Sequence, residues 1–343
     1  VNDDVNVIGV ATAYAGNKID GANVSYRITR TTRYNYYRWG WWYGNQNTEK
    51  EILLGDTITD ENGEYNITFN ALADETKNPK DLPIFDYKIY VTVTDINGES
   101  HETTSTISVG YQSLVLGQNI PTEFVNNENR TITISTTNLN GQPIFAKGGV
   151  KIYPLLTPEQ TYRNRLWSEP DMQTWTKDEY TILFPLDEYK SENDYHTWKK
   201  DDVILSETFD TKVSPEITLP KIQKWNAGMY VYEAVAKDKN GLEVKDVKYF
   251  EISNCCDKTP ALNSVFKVRG LKTNVQPGEQ AKYVISTSED ELYVFYSIDH
   301  KGTTVHQEWI ELSNEHHLIP IDIEEKHRGN FSINFSTVKN NRS

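Results

Sequence analysis

Residues 90–109 read YVTVTDINGESHETTSTISV, and this stretch decides the fold class. Apolar and polar residues alternate before and after a central Asn97-Gly98 pair. Asn and Gly tolerate the positive φ that tight turns between strands require, so the stretch predicts a β-hairpin. The pattern returns at residues 58–69 around Asn62-Gly63, 132–153 around Asn140-Gly141, 230–252 around Asn240-Gly241 and 293–312 around Lys301-Gly302. We therefore predict an all-β protein built of tandem immunoglobulin-like antiparallel β-sandwiches.

The composition agrees with this fold class. The chain has 343 residues, which is enough for two or three such units, and 12% of them are aromatic, as is typical of strand-rich proteins. A formal net charge of −14 argues against nucleic acid or an anionic membrane surface as a partner. No apolar run is long enough to predict membrane insertion within this chain. Strand-like sequence begins at Val1 without a signal peptide, so we expect a segment of a longer protein.

The strand pattern divides the chain into three expected domains. They cover residues 1–110, residues 111–254 with an insertion at 154–202, and residues 255–343. By this count the last hairpin of the third domain lacks its final partner strand. We therefore expect that domain to be truncated at its C-terminus and to carry a free sheet edge.

The insertion at residues 154–202 has its own means of folding. Thr176 and Glu179 have the spacing of a capping box, which predicts a short helix over residues 177–184 that ends before Pro185. Six aromatic residues favour packing of the segment: Trp167, Trp175, Phe184, Tyr189, Tyr195 and Trp198. We expect a partly helical, packed insertion.

Several short motifs resemble one protein family. Gly21-Ala22 before Val24-Ser25-Tyr26-Arg27, and GDTITDENGEYNITF at residues 55–69, look like macroglobulin-like domains of bacterial alpha-2-macroglobulin proteins. The aromatic residues 34–43, TTNLNG at 136–141, Arg165-Leu166-Trp167 and Phe184-Pro185 are similar to the large envelope-associated members. The resemblance spans nearly the whole chain. The first domain alone also fits carboxypeptidase regulatory-like and other transthyretin-like sandwiches.

The resemblance implies a non-catalytic scaffold segment of a protease trap. Its implied partners are other domains of the same parent chain and, through the full-length protein, target proteases. It also implies a bacterial cell-envelope location, periplasmic or surface-anchored through parts outside this chain. A bait segment in that family must be accessible and extended, so residues 154–202, with a helix cap and many aromatic residues, are expected to be a packed insertion instead.

The capture chemistry of that family is not expected here. Family members that carry a thioester use a Gly-Cys-Gly-Glu-Gln string, and the nearest string in this chain is Gln276-Pro277-Gly278-Glu279-Gln280. Pro277 stands where the nucleophile would be, so the string predicts an ordinary turn entering a strand. The two cysteines, Cys255 and Cys256, are adjacent, which excludes a disulfide framework and the usual metal-ligand spacing.

No catalytic, metal or cofactor site is expected. His316 and His317 are neighbours on a predicted strand, so their side chains point to opposite faces and do not share an ion. The Asp-x-Asn-Gly strings at residues 60–63 and 238–241 lack the other ligands of a calcium loop and are interpreted as turns.

One aromatic loop is the strongest candidate for an interaction site. It lies between the second and third predicted strands and contains Tyr34, Tyr36, Tyr37, Trp39, Trp41, Trp42 and Tyr43. An exposed patch of this size needs a cover, so we expect a docking surface between domains of the parent chain. The alternative hypothesis is an adhesin or carbohydrate-binding envelope module that uses this loop for recognition.

Overall fold

A computed structural model describes residues 1–14, 16–34, 49–127, 129–163, 165–254, 257–328 and 331–342. Within these ranges the chain forms β-strands and one α-helix. In chain order they are β1 (Asp4–Val10), β2 (Asn23–Arg33), β3 (Lys50–Ile58), β4 (Glu64–Asn70), β5 (Ile84–Thr94), β6 (Ser100–Gly110), β7 (Val115–Gln118), β8 (Glu123–Val125), β9 (Arg130–Thr137), β10 (Lys147–Pro154), α1 (Lys177–Leu183), β11 (Leu205–Asp210), β12 (Glu216–Leu219), β13 (Gly228–Lys237), β14 (Glu243–Ser253), β15 (Lys267–Lys272), β16 (Gln280–Thr287), β17 (Leu292–His300), β18 (Thr303–Leu312), β19 (Glu315–Asp322) and β20 (Phe331–Thr337). The predicted all-β sandwich fold, with a partly helical insertion, is confirmed.

The first sandwich, formed by β1 to β6, packs a two-stranded sheet on a four-stranded one. Strand β4 pairs with β1, and the larger sheet has the order β3-β2-β5-β6. Tyr65, Ile67 and Phe69 of β4 are buried, whereas the residues between them are exposed. This period of two is what places one face of a strand in a core. Ile28 and Ile89, paired across β2 and β5, belong to the same buried cluster.

The second sandwich, formed by β7 to β14, contains the largest core. Its sheets have the orders β11-β10-β13-β14-β8 and β12-β9-β7. Strand β8 runs parallel to β14, with Glu123 opposite Glu251. This pair corrects the expectation of purely antiparallel sheets. The physical reason is that β8 follows β7, which lies in the opposite sheet, so the chain crosses between sheets without a hairpin.

The third sandwich, formed by β15 to β20, has two three-stranded sheets, β15-β16-β19 and β18-β17-β20. The last strand pairs with β17 from Val294 opposite Thr337 to His300 opposite Phe331. Strand β20 lies at the edge of its sheet, and the truncation of the third domain stays a prediction. This strand follows β19 in the chain but crosses to the other sheet, where it adds to β17.

Four of the five predicted hairpin turns share one local structure. An Asp or Asn side chain accepts hydrogen bonds from the backbone N–H groups two and four residues later, and a Gly with positive φ follows at the fourth position. The first residues of these turns are Asp60, Asp95, Asn138 and Asp238. Such side-chain hydrogen bonds are the reason Asp and Asn start turns.

Only some of these turns join neighbouring strands. The turns at Asn97-Gly98, Asn240-Gly241 and Lys301-Gly302 close hairpins, as predicted. The turns at Asn62-Gly63 and Asn140-Gly141 instead join strands of opposite sheets, so their prediction as hairpins is wrong.

Contacts on either side of the first turn explain the difference. Before the turn, Thr59 donates its N–H to Ala22 O at 3.0 Å, next to β2, and its hydroxyl accepts from Ala22 N at 2.9 Å. After the turn, Gly63 O accepts from Ala11 N at 2.8 Å, at the end of β1. The two flanks are therefore bound to different sheets, and tertiary contacts override the hairpin.

Buried apolar residues form three separate clusters, one within each sandwich. The domain limits at 110/111 and 254/255 stay a prediction. Hydrogen bonds join residues on the two sides of each limit, so contacts alone do not define a boundary there. In the part of the chain that the structure describes, no helix is long and apolar enough to cross a membrane.

Candidate functional site

The aromatic loop is described at one residue. Tyr34 is exposed at the end of β2, while Tyr36, Tyr37, Trp39, Trp41, Trp42 and Tyr43 lie outside the described residues. Partial burial, together with the charges of Asp81 and Asp74, raises the pKa of the Tyr34 hydroxyl. The role of this loop as an interaction surface stays a prediction.

The other sequence motifs considered for chemistry are the string at residues 276–280, the His316-His317 pair and the two cysteines. Gln280 begins β16, and before it Gly278 has a φ of +92° and Glu279 N donates to Gln276 O at 3.0 Å, so the Pro277-Gly278 turn is confirmed. His316 Nδ1 lies 2.6 Å from the Ser286 hydroxyl, at the side of a β-sheet. Among the described residues, no group of three His, Cys, Asp or Glu could hold a metal ion. Cys255 and Cys256 lie outside the described residues.

The insertion between β10 and β11 is fixed at its base by a partly buried ion pair. Arg163 binds Asp187 with two hydrogen bonds, from Nε to Oδ1 at 2.8 Å and from Nη2 to Oδ2 at 2.5 Å. Both side chains are less than one-fifth exposed, at 19% and 14%. A bidentate Arg-carboxylate pair of this kind fixes orientation as well as distance. It holds the two ends of the residues 163–187 segment together.

The predicted capping box is present and starts α1. Glu179 N donates to Thr176 Oγ1 at 3.3 Å, and Thr176 N donates to the Glu179 carboxylate at 2.9 Å. The hydrogen bonds that the Glu179 carboxylate accepts from Thr176 N and Thr176 Oγ1 lower its pKa. The helix ends at Leu183, one residue earlier than predicted, and Phe184 is its C-cap.

Aromatic rings of the insertion contact one another in tilted and edge-to-face arrangements. Tyr180 lies 5.0 Å from Phe184 and 5.4 Å from Tyr189 between ring centroids, and Trp175 lies 5.8 Å from Phe184. None of these rings is buried, and α1 has no buried residue. The packing expected from sequence is therefore a half-exposed aromatic cluster, because the insertion has too little apolar mass to enclose its own core.

Next to this cluster lies a cavity of about 300 Å³. Its walls include the exposed ring of Trp167 and the rings of Trp175 and Tyr180, with Met172 beside them. Arg165 also lines the cavity, and its Nη2 donates to Glu188 O at 2.8 Å and to Lys190 O at 2.6 Å.

A cluster of four charges joins the second and third sandwiches. Glu123 and Glu251 lie side by side on the parallel strands β8 and β14, and Lys267 and Arg269 are on one face of β15. Arg269 Nη1 binds the Glu123 carboxylate and donates to Ser253 Oγ at 3.0 Å. Lys267 Nζ lies 2.6 Å from Glu251 Oε2 and 3.4 Å from Glu123 Oε2. Burial alone would raise the pKa of Glu123, yet the Arg269 hydrogen bond and both cations hold that pKa below its usual value.

The insertion also contacts the third sandwich. Arg163 Nη1 donates to Asn340 O at 3.1 Å, and Thr161 Oγ1 lies 3.2 Å from Ser288 Oγ. Asn263 Nδ2 donates to Pro158 O at 2.7 Å. The insertion therefore acts as a second connection between the two units, in addition to the charged cluster.

Two of the shared turns bind at the junction of the first and second sandwiches, one to β6 and one to the segment between β6 and β7. Asn140 accepts from Ser108 N at 2.7 Å and donates to Ser108 O at 3.1 Å, so its amide pairs with the backbone of β6. Asp238 Oδ2 accepts from both Ser113 N at 3.0 Å and Ser113 Oγ at 3.1 Å. The hydrogen bonds to Asp238 lower the pKa of its carboxyl group despite partial burial.

The residues of these junctions cannot be identified from the sequence. Lys267 and Arg269 alternate on one strand, which is a weak signal for a basic face, but Glu123 and Glu251 become neighbours only through a parallel pairing of distant strands. The sequence predicts Asn140 and Asp238 as turn residues, but their contacts with Ser108 and Ser113 carry no local signal.

Comparisons with known proteins give structural likenesses alone. No family model matches the chain, and a search of curated proteins gives no match. The chain is similar to the native conformation of Escherichia coli alpha-2-macroglobulin, with 10% identity and a TM-score of 0.31, over 98% of this chain and 22% of that one. It is similar to Salmonella alpha-2-macroglobulin reacted with methylamine, with 12% identity and a TM-score of 0.31, over 94% of this chain and 20% of that one.

A different class of protein is also similar. A tetra-tandem repeat from the extending region of a large adhesion protein has 12% identity and a TM-score of 0.24, over 97% of this chain and 70% of that one. By comparison, this chain spans only about a fifth of the length of the two alpha-2-macroglobulins described above. Superpositions with such TM-scores assign neither a family nor a function.

Proposed function

We propose that this chain is a non-catalytic scaffold segment that holds β-sandwich units in fixed relative positions within a longer, envelope-associated protease inhibitor of the alpha-2-macroglobulin type. The contacts between the sandwiches support the scaffold role, and the sequence motifs support the membership of such an inhibitor. A scaffold requires that neighbouring units contact each other through specific, directional bonds and not through a flexible linker.

The junction between the second and third sandwiches is the observation that supports the scaffold most directly. Two carboxylates from one unit face two cations from the other, and all four side chains are between 20% and 38% exposed. Partly buried ion pairs with several hydrogen bonds fix register better than isolated surface pairs do. The three hydrogen bonds from the insertion hold the same two units at a second place.

The insertion supports a structural role over that of a protease-cleaved bait. A segment cleaved by many proteases must adopt an extended conformation in the protease active site. Residues 163–187 are closed by the Arg163–Asp187 pair and contain a capped helix. Both features oppose an extended conformation.

Limited proteolysis with several unrelated proteases, read by mass spectrometry, tests this proposal. The scaffold predicts that residues 154–202 and both junctions resist cleavage while the sandwiches stay intact. Prompt cleavage within residues 161–202 by every protease would contradict it and would make that segment a bait candidate.

A second assay tests the inhibitor part of the proposal. The longer protein is expected to protect a large protein substrate from an added protease, and the present chain alone is expected to leave the protease rate unchanged. Equal protease rates with and without the longer protein would contradict membership of an inhibitor.

A further inference from the structure

Arg165, which lines the cavity beside α1, binds backbone carbonyls instead of a carboxylate. Arg163 and Arg165 are two residues apart, and the first is satisfied by both oxygens of Asp187. Arg165 contacts two backbone carbonyls through Nη2, and among the described residues it has no carboxylate within 4.0 Å. Glu188 offers Arg165 its carbonyl, while its carboxylate accepts from Asn193 N at 3.2 Å and senses Arg165 by charge alone, which opposes the rise in the Glu188 pKa that burial causes.

Arg165 therefore keeps donors available at the cavity. A guanidinium has five N–H donors, and the two bonds to Glu188 O and Lys190 O occupy those of Nη2. The Nε–H and the Nη1 hydrogens have no hydrogen-bond partner among the described residues. A planar guanidinium with free donors matches a carboxylate, which accepts two parallel hydrogen bonds.

The aromatic walls determine what must be attached to that carboxylate. Trp167 is 55% exposed and Trp175 is 44% exposed, and both line the cavity. Large exposed rings around a concavity bind flat or apolar faces of a ligand. The volume of about 300 Å³ lies at the small end for ligand pockets, which fits one ring better than an extended peptide.

The remaining polar groups favour a sugar ring over an apolar one. Gln173 donates through Nε2 to Tyr189 O, which leaves its carbonyl oxygen without a partner among the described residues. The Thr174 hydroxyl, also at the cavity, can both donate and accept. Sugar hydroxyls require this mixture of donors and acceptors, whereas the apolar ring of a proline or phenylalanine does not.

We propose that this cavity binds a short acidic saccharide, with the carboxylate of a uronic-acid-type ring on Arg165 and the ring face on the exposed tryptophans. The net charge of −14 repels long polyanions, so the proposed ligand is a single acidic sugar or a short oligosaccharide. The residues of this site differ from those of the predicted aromatic loop, and the site does not depend on the scaffold role.

A pair of ligands that differ in one group tests the proposal. Methyl β-glucuronide and methyl β-glucoside share the ring and differ in the carboxylate, so their binding to the whole chain is compared by ligand-observed NMR and calorimetry. We expect saturable binding of the glucuronide and at least about tenfold weaker binding of the glucoside, the value of a charge-assisted hydrogen bond.

Two variants place the binding at this cavity. Arg165→Gln is expected to weaken glucuronide binding about tenfold or more, and Trp167→Ala is expected to weaken both ligands. Trp309→Ala is the matched control, since Trp309 is an exposed tryptophan (67%) on the third sandwich. Unchanged tryptic protection after Lys177 in Arg165→Gln shows that the insertion keeps its fold.

Three results would overturn the proposal. They are equal affinity for the two glycosides, undiminished glucuronide binding by Arg165→Gln, and no saturable binding of either glycoside. Arg165-dependent binding of a C-terminal peptide carboxylate without glucuronide binding would replace the saccharide with a peptide ligand and would also refute it.

Discussion

Replacing Gly63 by alanine should destabilise the first sandwich far more than the same change at Gly98. The two glycines occupy the same position of the same turn, with φ of +70° and +86°. They differ in surroundings, because a Cβ at Gly63 would lie 2.5 Å from Ala11 O, whereas nothing lies within 4 Å of a Cβ at Gly98.

The cost of the common backbone conformation is the same for both. An L-residue in the left-handed region costs about 1–2 kcal/mol, and alanine recovers about 0.4–1 kcal/mol by restricting the unfolded chain. The expected loss for Gly98→Ala is therefore about 1 kcal/mol.

The cost of the close contact falls on Gly63 alone. Ala11 O is a backbone atom that accepts from Ile19 N at 3.2 Å, and Ala11 N donates to Gly63 O at 2.8 Å. Moving this backbone apart endangers both hydrogen bonds, each worth about 1 kcal/mol. Gly63→Ala should therefore lose about 3 kcal/mol in total, which corresponds to a melting temperature about 10 °C below that of Gly98→Ala.

Urea titration with peptide-resolved hydrogen exchange measures both variants in the same unit. Following peptides of β4 and β5 separates the first sandwich from the other two, since a multi-unit chain need not unfold in one step. Equal loss of stability in the two variants would refute the argument that tertiary contacts, and not the turn itself, fix Gly63.

Three further predictions follow from named contacts. Tyr232→Phe should raise the free energy of unfolding by about 1 kcal/mol, because the buried Tyr232 hydroxyl has no hydrogen-bond partner among the described residues. Tyr87→Phe should lower it by about as much, since Tyr87 donates to Leu72 O at 2.6 Å. Urea unfolding of the second and first sandwiches, respectively, measures the two changes, and the same sign for both would contradict this account. Thr176→Ala removes the capping box, costs α1 about 1 kcal/mol and should speed tryptic cleavage after Lys177 several-fold; an unchanged cleavage rate would show that packing, and not the cap, holds this helix. The pKa of Glu123 is lower in the folded chain than in the unfolded one, so its contribution to stability is present above the ordinary glutamate range and is lost as pH falls through the folded value. Glu123→Gln should therefore remove the loosening of this junction in acid, which hydrogen exchange of β15 measures as a function of pH. An identical pH profile in the variant and the unmodified chain would refute this prediction.

The sandwich fold could be predicted because local patterns specify strands. The alternation in β4 and the turn residues around Gly98 predict the elements within a few residues. The capping box at Thr176 likewise predicts the helix, since its hydrogen bonds are made within one turn.

Strand partners could not be predicted from the same signals. The turns at Asp60 and Asp95 have equal local hydrogen bonds, yet only the second closes a hairpin. The deciding contacts of Thr59 and Gly63 reach residues that are distant in sequence. Pairing is a property of the assembled sheets, and turn chemistry alone does not contain it.

The candidate sites show the same division. Arg165 and Trp167 form a short motif in the sequence, but the lack of an ion pair to Arg165 among the described residues depends on how the chain folds back at Glu188. The junction of Glu123 with Arg269 joins residues 146 positions apart, and no local pattern marks it.

Distance measurement between spin labels tests most directly whether the sandwiches are held in fixed positions. Labels at exposed Thr104, Glu207 and Thr303, one in each sandwich, are measured in pairs by pulsed electron resonance, with Cys255 and Cys256 replaced by serine. The scaffold predicts one narrow distance distribution for each neighbouring pair, and broadening of the second pair by Arg269→Ala. Broad distributions in the unmodified junctions would contradict the scaffold.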